Sequence, residues 1–232
     1  MSYASTPHTI IFDLDGTLID SANDVTHAVN LMLSEQSLPT LPVERVRPMI
    51  GEGVHVLIEK VMFATGVTSA SETLLAHCAA RYQHFYARYP AAHTVVYDGV
   101  PEVLAALQAE GCQLGLCTNK PQTITQLVLE ALDMTHYFTA VVGGGSTPFR
   151  KPDARPLWTV LDQIGVARAA CVYVGDSEVD VATARNAGMP LVLVSYGYAR
   201  IPVGELAADA RINSFRDLPA VLAGFTGQVS KF

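Results

Sequence analysis

Short apolar segments recur along this chain, and each ends in polar or glycine residues and leads into a helical pattern. This alternation is typical of a parallel β-sheet whose strands are joined by crossover helices. The predicted strands are 8–12, 113–117, 140–142, 171–174 and 191–194. The predicted helices are 100–110, 121–132, 154–164 and 179–187. We therefore expect an α/β protein with a Rossmann-like parallel-sheet core.

The segment from residue 20 to residue 90 interrupts the alternation, because it shows helical periodicity and no convincing strand. A small helical domain inserted after the first strand explains this pattern. Such an insertion would lie beyond the carboxyl end of a strand, where ligands bind in open α/β sheets, so we expect it to act as a cap over the site. The predicted domains are a core of residues 1–19 and 91–232 and a cap of residues 20–90.

Composition restricts the partners of the chain. Half of its 232 residues are hydrophobic and the net charge is -7, which favours a folded globular protein and disfavours nucleic-acid or anionic-membrane partners. No apolar run approaches the roughly 20 residues that span a bilayer, and the N-terminal segment lacks a signal-peptide pattern. We expect a cytoplasmic protein, and a small anionic substrate stays open if positive charge is concentrated locally. The four cysteines show no CxxC pairing and are predicted to be buried free thiols.

The strongest local signal is the segment Asp13-Leu14-Asp15-Gly16-Thr17, which follows an apolar strand. Two carboxylates at a strand end repel one another, so they imply a bound cation or a hydrogen-bonded clasp. Gly16 lets the backbone turn tightly. The alternative for this segment alone is an acid pair that caps nearby backbone amides.

Three further strand ends carry polar groups suited to phosphoryl chemistry. Thr118 and Asn119 precede a predicted helix, whose free amides would form an anion site. Lys151 follows the third predicted strand and could neutralise the same anion, although by itself it is more typical of a solvated loop lysine. Asp176 and Asp180 form a second acidic cluster, which can complete a cation site with Asp13.

These four segments, DLDGT, TNK, KPD and GDSEVD, resemble the four motifs of the haloacid dehalogenase superfamily in order and spacing. The resemblance implies that Asp13 is the nucleophile and Asp15 the general acid and base. It implies that Thr118 binds the phosphoryl group with help from Asn119 and Gly16, and that Lys151 neutralises it. By the same resemblance, Mg²⁺ would be bound by the Asp13 carboxylate, the Asp15 backbone carbonyl and Asp176, with Asp180 supporting the site.

The chemistry explains why these residue types are needed, because phosphoryl transfer depends on positioning and charge neutralisation. A carboxylate that attacks an anionic phosphate must first be shielded, and Mg²⁺ and Lys151 would supply the shielding. Asp13 would divide hydrolysis into two displacements through an aspartyl-phosphate. Asp15 would protonate the leaving alcohol and then accept a proton from the attacking water.

Within the superfamily, the chain is most similar to the phosphoglycolate phosphatases, in the stretches DLDGTLIDSANDV, 46–54, LGLCTNKP and LVLVSYGY. This likeness implies hydrolysis of 2-phosphoglycolate to glycolate and phosphate. Arg47 and the amides of residues 51–53 could then meet the substrate carboxylate. A helix-end arginine on the surface is the alternative for Arg47. Glu52 would repel an anionic substrate unless it pairs with Arg47 or orders the loop.

Several other activities stay open from the sequence. The substrate could instead be a sugar phosphate, an amino-sugar phosphate or pyrophosphate, and the enzyme could be a phosphomutase of the same superfamily. A dehalogenase is disfavoured by Asp15 and by the pair Asp176 and Asp180, and a non-catalytic binding protein is disfavoured by the complete set of motifs. The seven histidines show no metal-binding spacing. We expect a monomer or a homodimer.

Overall fold

The computed structural model describes residues 9–167 and 171–225. Those residues form eight strands: β1 (Thr9–Phe12), β2 (Ile19–Asp20), β3 (Val95–Val96), β4 (Gln113–Pro121), β5 (Ala140–Gly144), β6 (Cys171–Gly175), β7 (Leu191–Val194) and β8 (Ala210–Ile212). Six of them form one parallel sheet in the order β5-β4-β1-β6-β7-β8. The predicted α/β fold with a parallel-sheet core is confirmed.

Helices cover both faces of this sheet and fill the segment after β2. They are α1 (Ala22–Glu35), α2 (Val43–Val46), α3 (Val54–Ala64), α4 (Glu72–Arg88), α5 (Val100–Ala109), α6 (Gln122–Ala131), α7 (Arg155–Ile164), α8 (Glu178–Ala187) and α9 (Leu218–Phe225). The helices predicted from periodicity in the core correspond to α5 to α8, with ends that differ by one residue or less.

Strand β1 shows why the core strands read as continuous apolar runs. It lies between β4 and β6, so both of its faces are covered. Successive side chains point to opposite faces: Ile10 and Phe12 belong to one hydrophobic cluster and Ile11 to another. The sheet therefore forms the middle layer between two groups of helices.

The helices between β2 and β3 pack mainly on one another, with α4 against both α1 and α3. β2 and β3 pair in antiparallel fashion at the two ends of this segment, with Ile19 opposite Val96. The buried Asp24 carboxylate of α1 accepts hydrogen bonds from the backbone N–H groups of His93 and Thr94. These contacts hold together the two stretches of chain that connect the helical segment to the sheet domain. The domain boundaries at residues 19–20 and 90–91 stay a prediction.

The structure and the predicted elements differ in a few places. His8 of the first predicted strand lies outside the described residues. β4 runs to Pro121, with a register irregularity after Cys117 that contains Thr118 and its neighbours. The chain beyond residue 201 was predicted as a loop and a closing helix; it also contains β8, the edge strand, which has only three residues and too few positions to show a period. The pair β2 and β3 was missed for the same reason.

Two expectations from composition can be compared with the structure. All four cysteines are buried thiols rather than members of disulfides, as predicted. Among the described residues, no helix has both the length and the apolar composition required to span a bilayer.

Candidate active site

The register of the sheet brings the predicted motifs to one edge. Phe12 of β1 is aligned with Leu116 of β4 and with Val174 of β6. Asp13 therefore follows β1 at the level where the neighbouring strands are about to end, and its N–H donates to the carbonyl of Val174. The carboxyl ends of these three central strands meet there, as expected for a ligand site in an open parallel sheet.

Lys151 is the centre of a buried charge network. Its Nζ atom lies 2.9 Å from Asp13 Oδ1 and 2.8 Å from Asp180 Oδ1, and it donates to Tyr173 Oη at 2.9 Å. The lysine is only 2% exposed, so it is not the solvated loop lysine that its sequence context alone would suggest. Although burial opposes the charged form, Asp13 and Asp180 raise the pKa of Lys151 above its ordinary value. Lys151 is therefore a fixed cation beside Asp13.

Asp13 itself is buried at the strand end. Burial, together with the smaller effect of the Asp180 charge, raises the pKa of Asp13 to about 7, although the Lys151 ammonium opposes this shift. Added positive charge at this position would favour the ionised form of Asp13.

Asp180 organises the start of α8. One carboxylate oxygen, Oδ1, accepts hydrogen bonds from Lys151 and from Tyr173 Oη. The other, Oδ2, accepts hydrogen bonds from the N–H groups of Asp176 and Ser177 and from Ser177 Oγ. Ser177 and Asp180 together form a capping box at the start of the helix. Both oxygens are thus occupied by protein donors. Asp180 holds Lys151 and the Asp176 backbone in place.

Asp176 lies in a close-fitting cradle. Thr17 Oγ1 donates to its Oδ1 at 2.9 Å and the Tyr198 N–H donates to its Oδ2 at 2.6 Å. A Cβ at Gly16, whose φ is 87°, would overlap the Asp176 carboxylate, and a Cβ at Gly197 would overlap it from another side. Burial, and then the charges of Asp180 and Asp13, raise the pKa of Asp176 above its ordinary value.

The acidic residues fit a divalent cation. Asp13, Asp176 and Asp180 each place a carboxylate oxygen within 4.8 Å of the others. Asp13 Oδ1 is buried and, among the described residues, has an ion pair with Lys151 but no hydrogen bond of good geometry. Because Asp180 is saturated by protein donors, Asp13 and Asp176 are the carboxylates suited to hold the ion. Hard cations such as Mg²⁺ prefer oxygen ligands of this kind.

Asp15 is held apart from the acidic cluster by its own partners. Ser21 Oγ donates to Asp15 Oδ1 at 2.5 Å, and Lys120 Nζ donates to the same oxygen at 3.0 Å. Ser21 therefore precedes α1 at the N-cap position without capping it, because its hydroxyl is used by Asp15. Lys120 also donates to the hydroxyl of Tyr86 on α4.

Thr118 and Asn119 follow the regular part of β4, but their side chains make different contacts. Thr118 lines a cavity together with Asp13 and Asp15. The Asn119 side chain donates to the carbonyls of Gly51 and Lys151 and accepts from the Lys151 N–H. Asn119 thus ties the Lys151 loop to the loop before α3, and its predicted role in phosphate binding stays a prediction.

The cavity lies between the sheet edge and the helical segment. Its wall from that segment is mostly apolar: Val25, Ile50, Gly51, Gly53, Val54, Leu57 and Tyr82. Arg47 is not part of this wall; its guanidinium donates to Asp20 Oδ2 at 3.1 Å and lies over the Tyr198 ring. Glu52 pairs with Lys60 and with Arg200, so it does not pair with Arg47.

Sequence reasoning missed several residues that contact the motif side chains. Lys120 is the clearest case, since Thr118 and Lys120 are separated by two positions in an extended segment and could have been assigned to the same side. Tyr173 lies two residues before the end of a buried strand, where a polar tip would mark proximity to the site. Tyr86 and Tyr198 had no such signal, because only tertiary folding brings them to Lys120 and Asp176.

Comparison with known proteins agrees with this geometry. Residues 10–194 match the family model of the haloacid dehalogenase-like hydrolases. The chain is 42% identical over 215 residues to the phosphoglycolate phosphatase of Rhodospirillum rubrum, covering 91% of this chain and 89% of the relative. It is 40% identical over 211 residues to the phosphoglycolate phosphatase of Caulobacter vibrioides, with the same coverage of both chains.

A solved structure shares the architecture as well. The crystal structure of a predicted phosphoglycolate phosphatase from Haemophilus somnus superposes with a TM-score of 0.86 at 30% sequence identity, covering 92% of this chain and 97% of that one. The resemblance predicted from four short motifs is thus confirmed over nearly the whole fold. This chain belongs to the haloacid dehalogenase-like hydrolases.

Proposed function

We propose that this protein is a Mg²⁺-dependent phosphoric monoester hydrolase that transfers the phosphoryl group of a small metabolite to Asp13 and then to water. The observation that supports this most directly is the contact of the buried Lys151 ammonium with Asp13. This contact lies at the carboxyl ends of the central strands, beside Asp176. A carboxylate can attack an anionic phosphate only where fixed positive charge offsets the repulsion, and the buried Lys151 ammonium supplies such a charge beside Asp13.

The residues divide the reaction between them. An Asp13 carboxylate oxygen forms a bond to phosphorus while the bond from phosphorus to the leaving oxygen breaks, and Asp15 gives its proton to that oxygen. Water then attacks phosphorus, the bond to Asp13 breaks and Asp15 accepts the water proton. Thr118 and the backbone near Gly16 hold the phosphoryl oxygens, and Lys151 offsets their charge. Mg²⁺ bound by Asp13, Asp176 and the Asp15 carbonyl would add charge neutralisation.

The substrate we propose is 2-phosphoglycolate. Two relatives of about 40% identity that cover about nine-tenths of the chain carry the name phosphoglycolate phosphatase. The cavity between the sheet edge and the helical segment is small and partly enclosed, which suits a compact metabolite. Arg47 and the Gly51–Gly53 loop are the proposed contacts for the carboxylate, and Arg47 would have to leave Asp20 to reach it.

Phosphate release from a panel of esters tests the proposal. The panel contains 2-phosphoglycolate, glucose 6-phosphate, glucosamine 6-phosphate, a nucleotide and pyrophosphate, with and without Mg²⁺. We expect release that requires Mg²⁺, is greatest for 2-phosphoglycolate and is abolished in Asp13→Asn. Asp133→Asn is a matched control, since this carboxylate is fully exposed and belongs to none of the four motifs.

Other outcomes would change the proposal in defined ways. A maximum on a sugar phosphate or pyrophosphate would keep the mechanism and contradict the substrate. Isomerisation of a sugar phosphate without net release would indicate a phosphomutase. Release that persists in Asp13→Asn would contradict the aspartyl-phosphate. The cytoplasmic location and the monomeric or homodimeric state stay predictions.

A further inference from the structure

The Asp15 carboxylate is held by a lysine to which the motif pattern assigns no role. Lys120 Nζ donates to Asp15 Oδ1 at 3.0 Å and to Asp15 Oδ2 at 3.3 Å. Ser21 Oγ also donates to Oδ1, at 2.5 Å. Because both carboxylate oxygens have donors outside their own loop, the orientation of Asp15 depends on these neighbours.

Lys120 is itself held on two sides. It is 7% exposed, and its Nζ atom donates to the Tyr86 hydroxyl at 2.7 Å and lies 4.3 Å from the centre of the Tyr86 ring. Burial raises the pKa of Tyr86 well above its ordinary value, so the hydroxyl stays neutral and can accept this hydrogen bond. An ammonium has three N–H donors, and three oxygen acceptors surround this one.

This arrangement argues against a direct role of Lys120 in substrate binding. The lysine does line the cavity, which makes such a role its principal alternative. Its donors, however, are already directed at the two Asp15 oxygens and at Tyr86. A substrate anion would have to displace one of them, which would cost a buried charged hydrogen bond.

The contact also joins separate parts of the fold. Asp15 follows β1, Lys120 lies at the end of β4, and Tyr86 belongs to α4 of the helical segment. Lys120 therefore contacts both α4, through Tyr86, and the Asp15 side chain. Any change in the packing of α4 against the sheet edge would move the hydroxyl that anchors Lys120.

We propose that Lys120, anchored by Tyr86, is a positioning residue that orients Asp15 for proton transfer. The inference rests on the proposed function. In the second half-reaction the water oxygen forms a bond to phosphorus, the bond from phosphorus to Asp13 breaks, and the water proton passes to Asp15. Misplacing the accepting carboxylate by about 1 Å would slow this step by about 100-fold.

Rapid mixing with p-nitrophenyl phosphate and Mg²⁺ separates the two half-reactions. The burst of nitrophenolate reports phosphorylation of Asp13, for which this leaving group requires no proton. Steady-state release reports hydrolysis of the aspartyl-phosphate, and turnover of 2-phosphoglycolate requires proton transfer in both steps. The variants are Lys120→Met and Tyr86→Phe. Tyr89→Phe is the matched control, because Tyr89 follows α4 and is 48% exposed.

We expect Lys120→Met to keep the burst rate within about twofold while steady-state release and 2-phosphoglycolate turnover fall about 10- to 100-fold. Tyr86→Phe should change the same quantities in the same direction but less, and Tyr89→Phe should change none of them. Tyr86→Phe removes one oxygen atom, so it still tests the inference if Lys120→Met does not fold.

Three results would overturn the role of Lys120. Equal losses in burst and steady state would indicate a structural role, a raised KM with unchanged kcat would indicate substrate binding, and wild-type kinetics would indicate no role. A wild-type enzyme without any Asp13-dependent phosphate release would contradict the proposed function itself, so the two failures can be distinguished.

Discussion

Buried charges such as Lys151 and Asp180 are unfavourable by themselves, and their mutual contacts offset the cost. Removing one partner of a buried ion pair leaves an uncompensated charge and costs about 3–5 kcal/mol. Here Lys151 serves Asp13 and Asp180 together, and Tyr173 hydrogen-bonds to both Lys151 and Asp180. A network with this cost is retained where a fixed cation is needed, which supports its proposed role beside the phosphoryl group.

Gly16 offers a sharp test of the cradle around Asp176. Both Gly16 and Gly111 have positive φ, but only at Gly16 would a Cβ overlap the Asp176 carboxylate; at Gly111 it would meet open space. Ala should cost about 1–2 kcal/mol at each position through backbone strain. Only Gly16→Ala should also lose activation by Mg²⁺, which urea unfolding and a Mg²⁺ titration of phosphate release would measure. A normal Mg²⁺ response in Gly16→Ala would contradict the role of the cradle.

Loops as well as helices connect the helical segment to the sheet. Glu52, which precedes α3, forms an ion pair with Arg200, which follows β7, and Arg200 also contacts Glu178 at the start of α8. Lys60 of α3 holds Glu52 from the other side. This bridge lies between the loop of Gly51–Gly53 and the helix that carries Asp180. We expect it to favour the arrangement in which the segment covers the cavity.

Arg200→Ala tests this bridge. Since partly exposed ion pairs contribute less than about 1 kcal/mol, we expect KM to rise about two- to fivefold with little change in kcat. The rise should shrink at high salt, because salt already weakens the wild-type bridge. Arg216→Ala is the matched control, as Arg216 pairs with Asp98 and Glu102, away from the cavity. A kcat that falls while KM keeps its wild-type value would contradict an effect of the bridge on substrate binding.

The ion pair between Glu52 and Arg200 should weaken only in acid. Although burial alone would raise the pKa of Glu52, Lys60 and Arg200 hold it below its ordinary value. A depressed folded-state pKa gives a contribution that is present above the unfolded value and is lost as pH falls through the folded value. The effect of Arg200→Ala on KM should therefore be constant near neutral pH and disappear only in acid.

Buried negative charge is concentrated where the central strands of the protein end. Asp13, Asp176 and Asp180 lie within 4.8 Å of one another, and the pKa values of the first two are raised by burial and by neighbouring acids. This repulsion is a cost to the folded state that a bound divalent cation would relieve. Metal binding and folding stability should therefore be linked.

Thermal unfolding with Mg²⁺ and with EDTA measures this linkage. At a Mg²⁺ concentration of about 100 times the Kd, the wild-type protein should gain about 2.7 kcal/mol. Asp176→Asn should lose this gain and, without metal, should be at least as stable as the wild type, because one buried charge is removed. Asp133→Asn is the control, since Asp133 is fully exposed. A Mg²⁺ effect retained in Asp176→Asn would place the ion elsewhere.

The sequence predicted the elements that have long, regular patterns. Strands at 171–174 and 191–194 were recognisable as continuous apolar runs, and helices at 100–110 and 154–164 by apolar positions that recur with helical spacing. The short strands β2, β3 and β8 were missed because two or three residues carry no period. The contacts of Arg47 and Asn119 could not be foreseen, since both donate to partners that are distant along the chain.

By itself, the sequence determined the α/β class, the interrupted first crossover and the four groups of polar residues at strand ends. These follow from local chemistry, because a strand that is buried on both faces must be apolar until it reaches the ligand edge. Only the tertiary structure decided how those groups pair: Lys151 with Asp13 and Asp180, Lys120 with Asp15 and Tyr86, and Glu52 with Arg200. Such pairings depend on distances between segments far apart in the chain, and no local pattern encodes them.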